Sequence, residues 1–417
     1  MIWRAARHLR HVPPMRTRLL AAAAALLACG PSAPAAAPPT SGRCTLVERG
    51  YGPEGSVAVR AERVATGLEV PWGIAFLPGG DALVTERPGR VRLLRGGKLE
   101  AAPVATLAVA ERGEGGLLGI AADPRFSENR RFYLYATVEK GGRAVNRVTR
   151  WILAEDHRSA REDRVLIDDV PAERFHDGGR IRFGPDGLLY VGTGDAGRPA
   201  SAQDLSSPSG KILRIGTDGE VPQDNPTPGS PVFVSGVRNV EAFDWLDAKT
   251  LVVADHGPSG ELGRQGGDEV SIARAGDNLG WPDAWRCDER QGVTAPTLAF
   301  VEAVPPGGAS VVRGDAVPEW KGSVVVGTLR SRHLHRVVLD PGGRVAAHEV
   351  VLPGEPPAGL GRVREVVQAP DGALWVTTSN CDGRGTCPPE KDVIARIVPL
   401  RERADAGRRH TPGSPSK

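Results

Sequence analysis

Short apolar runs separated by turn residues recur along this chain, and runs with the 3.6-residue period of a long helix are hard to find. Three segments can be laid over one another: residues 77–86, 184–193 and 369–378. In each of them a Pro-Gly-Gly or Pro-Asp-Gly turn stands before an apolar run, and a few strand-like residues precede it. Because proline presets φ and glycine tolerates positive φ, each segment predicts a β-hairpin.

Weaker copies of the hairpin pattern fill the gaps, which gives six units beginning near positions 70, 117, 178, 237, 307 and 361. Their mean spacing of roughly 58 residues is at the long end for a four-stranded blade. Units that cannot bury their own faces close into a ring. We therefore predict an all-β fold, a six-bladed β-propeller of four-stranded antiparallel blades. A seventh blade would have to lie in residues 43–69 or 138–175, and neither stretch has the right turns.

The N-terminal residues do not follow the repeat. A short basic stretch at residues 15–18 precedes an apolar run at residues 19–28, which leads to Cys29. The run is too short to span a bilayer as a mature helix and has the layout of a secretory signal. The sequence Leu-Leu-Ala-Cys that ends at Cys29 resembles a bacterial lipobox, so we predict a lipoprotein signal peptide in residues 1–28 and a lipid on Cys29. An ordinary signal peptide with an incidental cysteine is the alternative, and Met15 is a second candidate start.

Composition divides the rest of the chain. Residues 29–42, rich in Ala, Pro and Ser, predict a flexible tether, residues 43–400 the propeller domain and residues 401–417 a disordered tail. Removing residues 1–28 removes five arginines and no acid, so the formal net charge of +3 becomes about −2. No basic patch favours nucleic acid. We expect an exported protein that faces the periplasm or the extracellular space and meets a membrane only through its lipid anchor.

Four cysteines remain beyond Cys29, namely Cys44, Cys287, Cys381 and Cys387. An even number of cysteines in an exported protein predicts disulfides. Cys381 and Cys387 flank a short glycine-rich loop and form one expected pair, which leaves Cys44 and Cys287 as the other. A metal site is the alternative, but no histidines cluster beside these cysteines. The chain has no Cys-X-X-Cys-His motif and so no c-type haem of its own.

Two polar residues in predicted interblade loops form a candidate catalytic pair. His176 precedes the first strand of the third unit, and such a loop histidine acts as a general base near neutral pH. Asp195 ends the next strand, where a carboxylate would fix the imidazole tautomer and stabilise its charged form. Taken singly, His176 is more often a satisfied loop histidine and Asp195 a turn residue.

A second group of candidates fits an anionic ligand and a hard cation. Arg238 and Asn239 open the fourth unit, and a guanidinium group offers a planar set of donors to carboxylate or quinone oxygens. Gly257 and Pro258 follow the next strand, where backbone carbonyls outside the ladder ligate a cation such as calcium.

Three further arginines, Arg330, Arg362 and Arg364, end or begin strands of the last two units. Arg362 and Arg364 alternate with Val363, so both face the same side of one strand. Several arginines aimed into one channel repel one another unless a polyanion lies among them. A surface location is the alternative for each arginine taken singly.

Taken together, these segments resemble the soluble sugar dehydrogenases that depend on pyrroloquinoline quinone (PQQ), the family of soluble glucose dehydrogenase and the aldose sugar dehydrogenases. The resemblance runs from about Val70 to Val398. It rests on the order and spacing of seven segments: residues 70–76, 114–119, 176–180, 203–215, 237–239, 266–269 and 280–282.

The resemblance implies a role for each catalytic candidate. His176 matches the family's base, which takes the substrate's hydroxyl proton while hydride passes to the quinone, and Asp195 matches the carboxylate that orients it. Arg238 and Asn239 match residues that contact PQQ oxygens, and Arg238 would stabilise the charge that develops on those oxygens.

The resemblance also implies the ligands of both cofactors. Gly257 and Pro258 match the pair whose carbonyls hold the catalytic calcium, which acts as a Lewis acid on the quinone. Arg362 and Arg364 match the pair that binds PQQ carboxylates.

Four positions depart from the family pattern. Arg330 stands where a lysine is usual, which keeps the charge at a cofactor contact but changes its geometry. His256 replaces a polar residue that often precedes Gly-Pro. Glu114 stands where glutamine commonly contacts substrate, so a substrate other than glucose is an open expectation. Ser379 and Asn380 stand near a position where an acid is common.

The expected function is therefore oxidation of a sugar (aldose) or related alcohol with PQQ and Ca²⁺, with electrons passed to an external acceptor such as a cytochrome or a quinone. Two alternatives remain open: a non-enzymatic propeller that binds a ligand or a protein, and a calcium-dependent lactonase-like hydrolase. The arginine set favours the dehydrogenase, because a hydrolase has no tricarboxylate cofactor to hold.

Overall fold

Twenty-six strands form six separate sheets in residues 44–400, the part of the chain that the computed structural model describes. The first or second strand of each blade packs against the first strand of the next, and the last blade packs against the first. The sheets therefore form a ring, and the predicted six-bladed β-propeller is confirmed.

The strands, grouped by blade, have the following bounds. The N-terminal strands are β1 (Thr45–Val47) and β2 (Val59–Leu68). Blade 1 contains β3 (Pro71–Phe76), β4 (Ala82–Glu86), β5 (Arg90–Arg95), β6 (Lys98–Leu99) and β7 (Ala105–Thr106). Blade 2 contains β8 (Leu117–Ala122), β9 (Arg131–Lys140), β10 (Arg143–Leu153) and β11 (Ala160–Pro171). Blade 3 contains β12 (Ile181–Phe183), β13 (Leu189–Gly192), β14 (Lys211–Ile215) and β15 (Val232–Ser235).

The remaining blades complete the ring. Blade 4 contains β16 (Val240–Trp245), β17 (Leu251–Asp255), β18 (Glu269–Ala273) and β19 (Leu298–Phe300). Blade 5 contains β20 (Pro306–Val311), β21 (Val324–Thr328), β22 (Leu334–Leu339) and β23 (Val345–Val351). Blade 6 contains β24 (Val363–Gln368), β25 (Leu374–Thr378) and β26 (Asp392–Pro399). The helical elements are α1 (Phe126–Asn129) and three 3₁₀ turns at Pro199–Ala202, Glu261–Gly263 and Pro318–Trp320.

The three hairpins that carry the strongest repeat join the first two strands of blades 1, 3 and 6. Each turn is closed by one backbone hydrogen bond, from Leu77 N to Asp81 O (2.8 Å), from Gly184 N to Leu188 O (2.9 Å) and from Ala369 N to Ala373 O (2.9 Å). The shared turn sequence therefore marks the same structural position in each blade.

The N-terminal segment completes two blades. Strand β2 pairs antiparallel with β26 and supplies the outer strand of blade 6, so the second and the last strand of the described chain lie in one sheet. Strand β1 pairs parallel with β19 as a fifth strand on blade 4. The described residues 44–69 hold no seventh blade, as predicted, but the sequence pattern did not reveal that they supply these two strands.

Apolar side chains from neighbouring blades pack between the sheets. Leu83 of blade 1 and Phe132 of blade 2 belong to one cluster, and both are fully buried. Leu68 of β2 and Ile74 of β3 belong to another, which closes the ring between blades 6 and 1. Each interface is built from the inward faces of two sheets, so no blade buries its apolar residues alone.

One buried guanidinium group connects five of the six blades near the axis of the ring. Arg180, just before β12, donates from Nε to the carbonyl oxygen of Glu241 (2.7 Å) and from Nη2 to that of Gly307 (2.9 Å). Its Nη1 forms an ion pair with Glu365, and the guanidinium group lies 4.3 Å from the ring centroid of Trp72. Burial lowers the pKa of Arg180 to about 10, which still leaves it charged at neutral pH.

Several sequence predictions concern residues outside the described range. These are the signal peptide at residues 1–28, the lipid on Cys29, the tether at 29–42 and the tail at 401–417. Within residues 44–400, no helix is long and apolar enough to cross a membrane.

Replacing Arg180 with methionine tests its role in ring assembly. The change removes one of the two arginine partners of buried Glu365 and leaves two carbonyls without their donor. Breaking a buried ion pair of this kind costs about 3–5 kcal/mol, and we expect the free energy of unfolding in urea to fall by about 3 kcal/mol. The control Arg112→Met, which breaks an exposed pair with Glu139, should cost less than about 1 kcal/mol. A similar loss in both variants would contradict this role for Arg180.

Candidate active site

The candidate residues meet at one end of the ring because of blade topology. In an antiparallel blade, the loop that enters the first strand and the loop that leaves the second strand lie at the same end. His176 and Arg362 lie on entering loops, and Asp195 and Gly257 follow second strands. Residues that are far apart in sequence therefore line one end of the channel.

His176 and Asp195 form the predicted pair. Nδ1 of His176 lies 2.7 Å from Oδ1 of Asp195, whose side chain is fully buried. The carboxylate also accepts the indole N–H of Trp281 (2.8 Å) and the backbone N–H of Gly197 (2.8 Å). An ionised Asp195 makes Nδ1 the protonated nitrogen, which leaves Nε2 as the atom that can accept a proton.

The backbone of His176 has a left-handed conformation, with φ at 67°. This conformation is uncommon for a residue with a side chain and persists where its surroundings fix it. The N–H of His176 donates to Oε2 of Glu114 (2.8 Å), and its carbonyl accepts the N–H of Ala196 (3.2 Å). A Cβ at Gly194 would collide with that carbonyl oxygen, so the close approach needs glycine there.

Arg238 and Asn239 are fixed through their backbones. Their two N–H groups donate to the carboxylate oxygens of Asp255 at 2.7 and 2.8 Å. The side-chain oxygen of Asn239 accepts the N–H of Gly178 (2.8 Å), which ties blade 4 to the loop of His176. The side chain of Asn239 therefore lies against the His176 loop, next to Arg238 in the chain.

The side chain of Arg238 contacts a carboxylate that the sequence analysis missed. Nη2 of Arg238 lies 2.6 Å from Oε1 of Glu261, and the same oxygen lies 3.4 Å from Nε2 of His176. Burial raises the pKa of Glu261, but the charge of Arg238 and the hydrogen bonds to this carboxylate together hold that pKa below its usual value. Glu261 lies in a loop without a repeat motif, so no sequence signal identified it.

Arg362 directly precedes β24 and Arg364 is its second residue, and both side chains are buried and reach the same carboxylate, that of Asp382. Asp382 lies 2.7 Å from Nη2 of Arg362 and 3.9 Å from Nη2 of Arg364. Arg364 also forms an ion pair with Glu241. Asp382 supplies an acid two residues after Asn380, near the position where the sequence seemed to lack one.

The cation candidates lie on the loop after β17. Pro258 is buried, and the N–H of Gly257 donates to Oδ1 of Asp268 (2.9 Å). Neither the carbonyl of Gly257 nor that of Pro258 accepts a hydrogen bond from another described residue. Within residues 44–400, no group of three or more His, Cys, Asp or Glu residues could hold a metal ion. A calcium ion there would depend on backbone carbonyls and on ligands from outside the chain.

Arg330 and Glu114 differ in their contacts with other residues of the described chain. Arg330, two residues after β21, is exposed and has no hydrogen bond or ion pair to another residue of the described chain. Glu114 is largely buried and accepts hydrogen bonds from the N–H of His176 and from Arg384 (3.1 Å). Its carboxylate is therefore already engaged with the chain.

Two arginine nitrogens test whether the site fits an anionic group. Nε of Arg238 and Nε of Arg364 are buried without a hydrogen-bond partner among the described residues. At least one other nitrogen of each arginine in the set contacts a carboxylate, that of Glu261, Asp382 or Glu241, and Nη1 of Arg238 lies 3.5 Å from the carbonyl oxygen of His256. Guanidinium groups that are buried, carboxylate-bound and still short of acceptors fit a ligand that carries several carboxylates.

The other end of the channel holds a cavity of about 290 Å³, lined by residues near the far ends of the inner strands, including Phe76, Ala122, Phe183 and Gln368. It contains none of the predicted site residues. Its charged side chains are paired with one another, for example Arg313 with Asp244 at 3.0 Å. We therefore place the active site at the end that carries His176.

Both predicted disulfides are confirmed. Cys381 and Cys387 are bonded within the loop after β25, and Cys44 is bonded to Cys287. The first bond lies beside the arginine pair, and the second ties the N-terminal segment to the loop before β19.

Comparisons with known proteins identify the family of this propeller. A family model described as glucose/sorbosone dehydrogenase matches residues 68–387. The PQQ-bound form of aldose sugar dehydrogenase from Streptomyces coelicolor is 35% identical, with a TM-score of 0.73, over 83% of this chain and 99% of that chain.

Two further comparisons concern aldose sugar dehydrogenase of Escherichia coli. Aldose sugar dehydrogenase YliI is 29% identical over 78% of this chain and 91% of its own length. The apo-form of the soluble aldose sugar dehydrogenase is 27% identical, with a TM-score of 0.70, over 82% of this chain and 99% of that chain. The chain belongs to the glucose/sorbosone dehydrogenase family of oxidoreductases.

The pH dependence of stability tests the burial of Asp177, the residue next to His176. Its side chain is buried, Oδ2 has no hydrogen-bond partner among the described residues, and burial raises its pKa to about 7. Because the unfolded pKa is near 4, the folded chain binds the extra proton between pH 4 and 7, and stability falls as pH rises through that window. We therefore compare the free energy of unfolding in urea at pH 5 and at pH 8. We expect the drop between these two pH values to be about 2–4 kcal/mol smaller in Asp177→Asn than in the parent. An unchanged pH profile would show that Asp177 is ionised in the folded chain.

Proposed function

We propose that this protein oxidises a hydroxyl group of a sugar (aldose) or related alcohol with PQQ and Ca²⁺ and passes the electrons to an external acceptor. The observation that supports the proposal most strongly is the single site in which His176, paired with Asp195, faces buried arginines from blades 4 and 6. The PQQ-bound form of an aldose sugar dehydrogenase with the same fold adds to this support.

The arginine set would hold the cofactor. PQQ carries three carboxylates, and Arg362 and Arg364 would bind them from one face of β24. Arg238 and Asn239 would contact its quinone oxygens, where the positive charge of Arg238 stabilises negative charge. When bound, PQQ supplies the acceptor for the hydride that leaves the substrate carbon.

His176 would move the proton. Nε2 takes the proton of the substrate hydroxyl, because Nδ1 is bound to Asp195. The negative charge of Asp195 stabilises the imidazolium ion that forms, and the indole of Trp281 holds the carboxylate in place. The carboxylate of Glu261 lies 3.4 Å from Nε2 of His176. It would therefore have to move before a substrate hydroxyl could contact that nitrogen.

Calcium would bind at the carbonyls of Gly257 and Pro258. A divalent ion there supplies a Lewis acid beside the quinone. Because the loop offers two carbonyls rather than a cage of carboxylates, we expect the ion to bind far more tightly together with PQQ than alone.

The substrate side of the site differs from that expected of a glucose enzyme. We propose that Glu114 keeps its predicted place near the substrate and restricts which sugars fit, because its charge replaces a neutral amide. Arg330 would contact the cofactor, as predicted, only if the bound cofactor reaches its side chain. No residue of the described chain forms a hydrogen bond or an ion pair with that side chain.

The proposed location follows from the N-terminal residues and the cysteines. Two disulfides favour an oxidising compartment. We propose an exported lipoprotein anchored through Cys29 and facing the periplasm or the extracellular space, with a cytochrome or a quinone as its electron acceptor.

Turnover by a His176 variant tests the assignment of the base. Residues 30–400, loaded with PQQ and calcium, should reduce an electron-accepting dye with some aldose or alcohol. We expect His176→Ala to bind PQQ nearly as well as the parent but to lose about 10²–10⁴-fold in turnover. His157→Ala is the matched control, because that ring lies in the hairpin between β10 and β11. The enzyme proposal is falsified if the parent neither binds PQQ nor turns over any substrate.

Cofactor affinity tests the arginine set. Loss of a charge-assisted hydrogen bond is worth about 1.5–3 kcal/mol, so Arg364→Gln should raise the Kd of PQQ by about 10- to 100-fold in a titration with calcium present. Arg330→Gln in the same titration decides the role of that residue: an equal rise places Arg330 on the cofactor, and an unchanged Kd removes it from the site. Unfolding midpoints show whether each variant is folded.

A further inference from the structure

The loop closed by the Cys381–Cys387 disulfide carries two charged residues into the candidate active site. Asp382 contacts the arginine pair, as described above, and its Oδ1 accepts the backbone N–H of Arg384 (2.8 Å). Asp382 is almost fully buried, whereas Arg384 is partly exposed at the mouth of the channel. The loop therefore presents an anion to the arginines and a cation to the opposite wall.

The cation on this loop reaches the residue that holds the backbone of His176. Nη1 of Arg384 donates to Oε1 of Glu114 (3.1 Å). The other oxygen of Glu114 accepts the N–H of His176 (2.8 Å). A line of contacts thus runs from blade 6, across the mouth of the channel, to the backbone of His176.

Glu114 can hold this N–H well only while its carboxylate is ionised and kept in place. Burial raises the pKa of Glu114, but the nearby His256, the hydrogen bond from the His176 N–H and the positive charge of Arg384, with a smaller contribution from the His176 ring, together hold that pKa below its usual value. Since His176 has a left-handed backbone, its loop depends on such anchors more than a relaxed loop would.

The loop is fixed independently of Glu114. Asp392 accepts the backbone N–H groups of Asn380 (2.6 Å) and Cys381 (3.2 Å) at its start. A Cβ at Gly385 would lie 2.7 Å from Cδ of Arg362, so the tip packs directly on the arginine pair. The disulfide then closes the segment and leaves the side chain of Arg384 aimed at the mouth.

We infer that Arg384 is a positioning residue, which acts through Glu114 on the backbone of His176, and that the Cys381–Cys387 loop exists to deliver it. The consequence for turnover rests on the proposed function, but the effect on the His176 backbone does not. Arg174 offers a matched control, because the guanidinium groups of Arg384 (5.5 Å) and Arg174 (5.3 Å) both lie over the ring of Phe175, but Arg174 has no ion pair to a described residue.

Amide hydrogen exchange of the cofactor-free protein tests the inference without any enzyme assay. We expect Arg384→Gln to speed exchange at the His176 N–H by about three- to tenfold, since the carboxylate anchor is loosened, and Arg174→Gln to leave it unchanged. The double variant Cys381→Ser/Cys387→Ser should give a similar increase, and adding Arg384→Gln to it should give little more, because both changes act on one contact. Parental exchange in Arg384→Gln, or an equal increase in Arg174→Gln, overturns the inference.

Turnover of the PQQ-loaded protein then separates positioning from general stability. We expect Arg384→Gln to lower kcat about tenfold and to leave the Kd of PQQ unchanged. The acid limb of the pH profile of kcat should also move to higher pH in this variant. Arg384→Lys should restore part of the lost kcat and part of the original pH profile. A fall in the unfolding midpoint with an unmoved pH profile would mean a structural role only. If the parent shows no turnover with PQQ, the proposed function fails while the exchange result still decides the inference.

Discussion

Charge buried near the axis of the ring is the constraint on which the rest of this structure depends. A guanidinium group in a low-dielectric interior must find partners, because an unpaired charge there costs several kcal/mol. Arg180 finds them on blades 4, 5 and 6 and stacks on Trp72 of blade 1. Since these partners meet only when the ring closes, the charge favours one arrangement of the blades over looser ones.

The buried arginines of the candidate site also need partners. Each buried arginine has a carboxylate beside it: Glu261 for Arg238, Asp382 for Arg362 and Glu241 for Arg364. These pairs keep the cofactor-free site neutral enough to fold, while the unpaired Nε atoms leave it open to further acceptors. An anionic cofactor would therefore exchange partners with the chain rather than enter an empty positive cavity, which moderates its affinity and adds specificity.

Much of this architecture was predictable because it repeats. The turn sequences set the hairpins, the hairpins set the number of blades, and the blade topology places His176, Asp195, Arg238 and Arg362 at one end. The sequence analysis did not reveal the residues that act on these ones. Glu261, Asp382 and Arg384 lie on loops without a repeat, and nothing in their spacing shows which blade they face. Arg330 shows the opposite limit, since the repeat identified it as a candidate but no residue of the described chain forms a hydrogen bond or ion pair with it.

The sequence by itself determined the all-β class, the six blades, the two disulfide pairs and the identity of the histidine–aspartate pair. These depend on local turn chemistry and on residue types at fixed places in the repeat, which a chain carries before it folds. Only the tertiary structure decided which carboxylate faces which arginine, that β1 and β2 complete blades 4 and 6, and that Glu114 holds the backbone of His176. Those contacts join residues from different blades, and their distances arise only when the ring has closed.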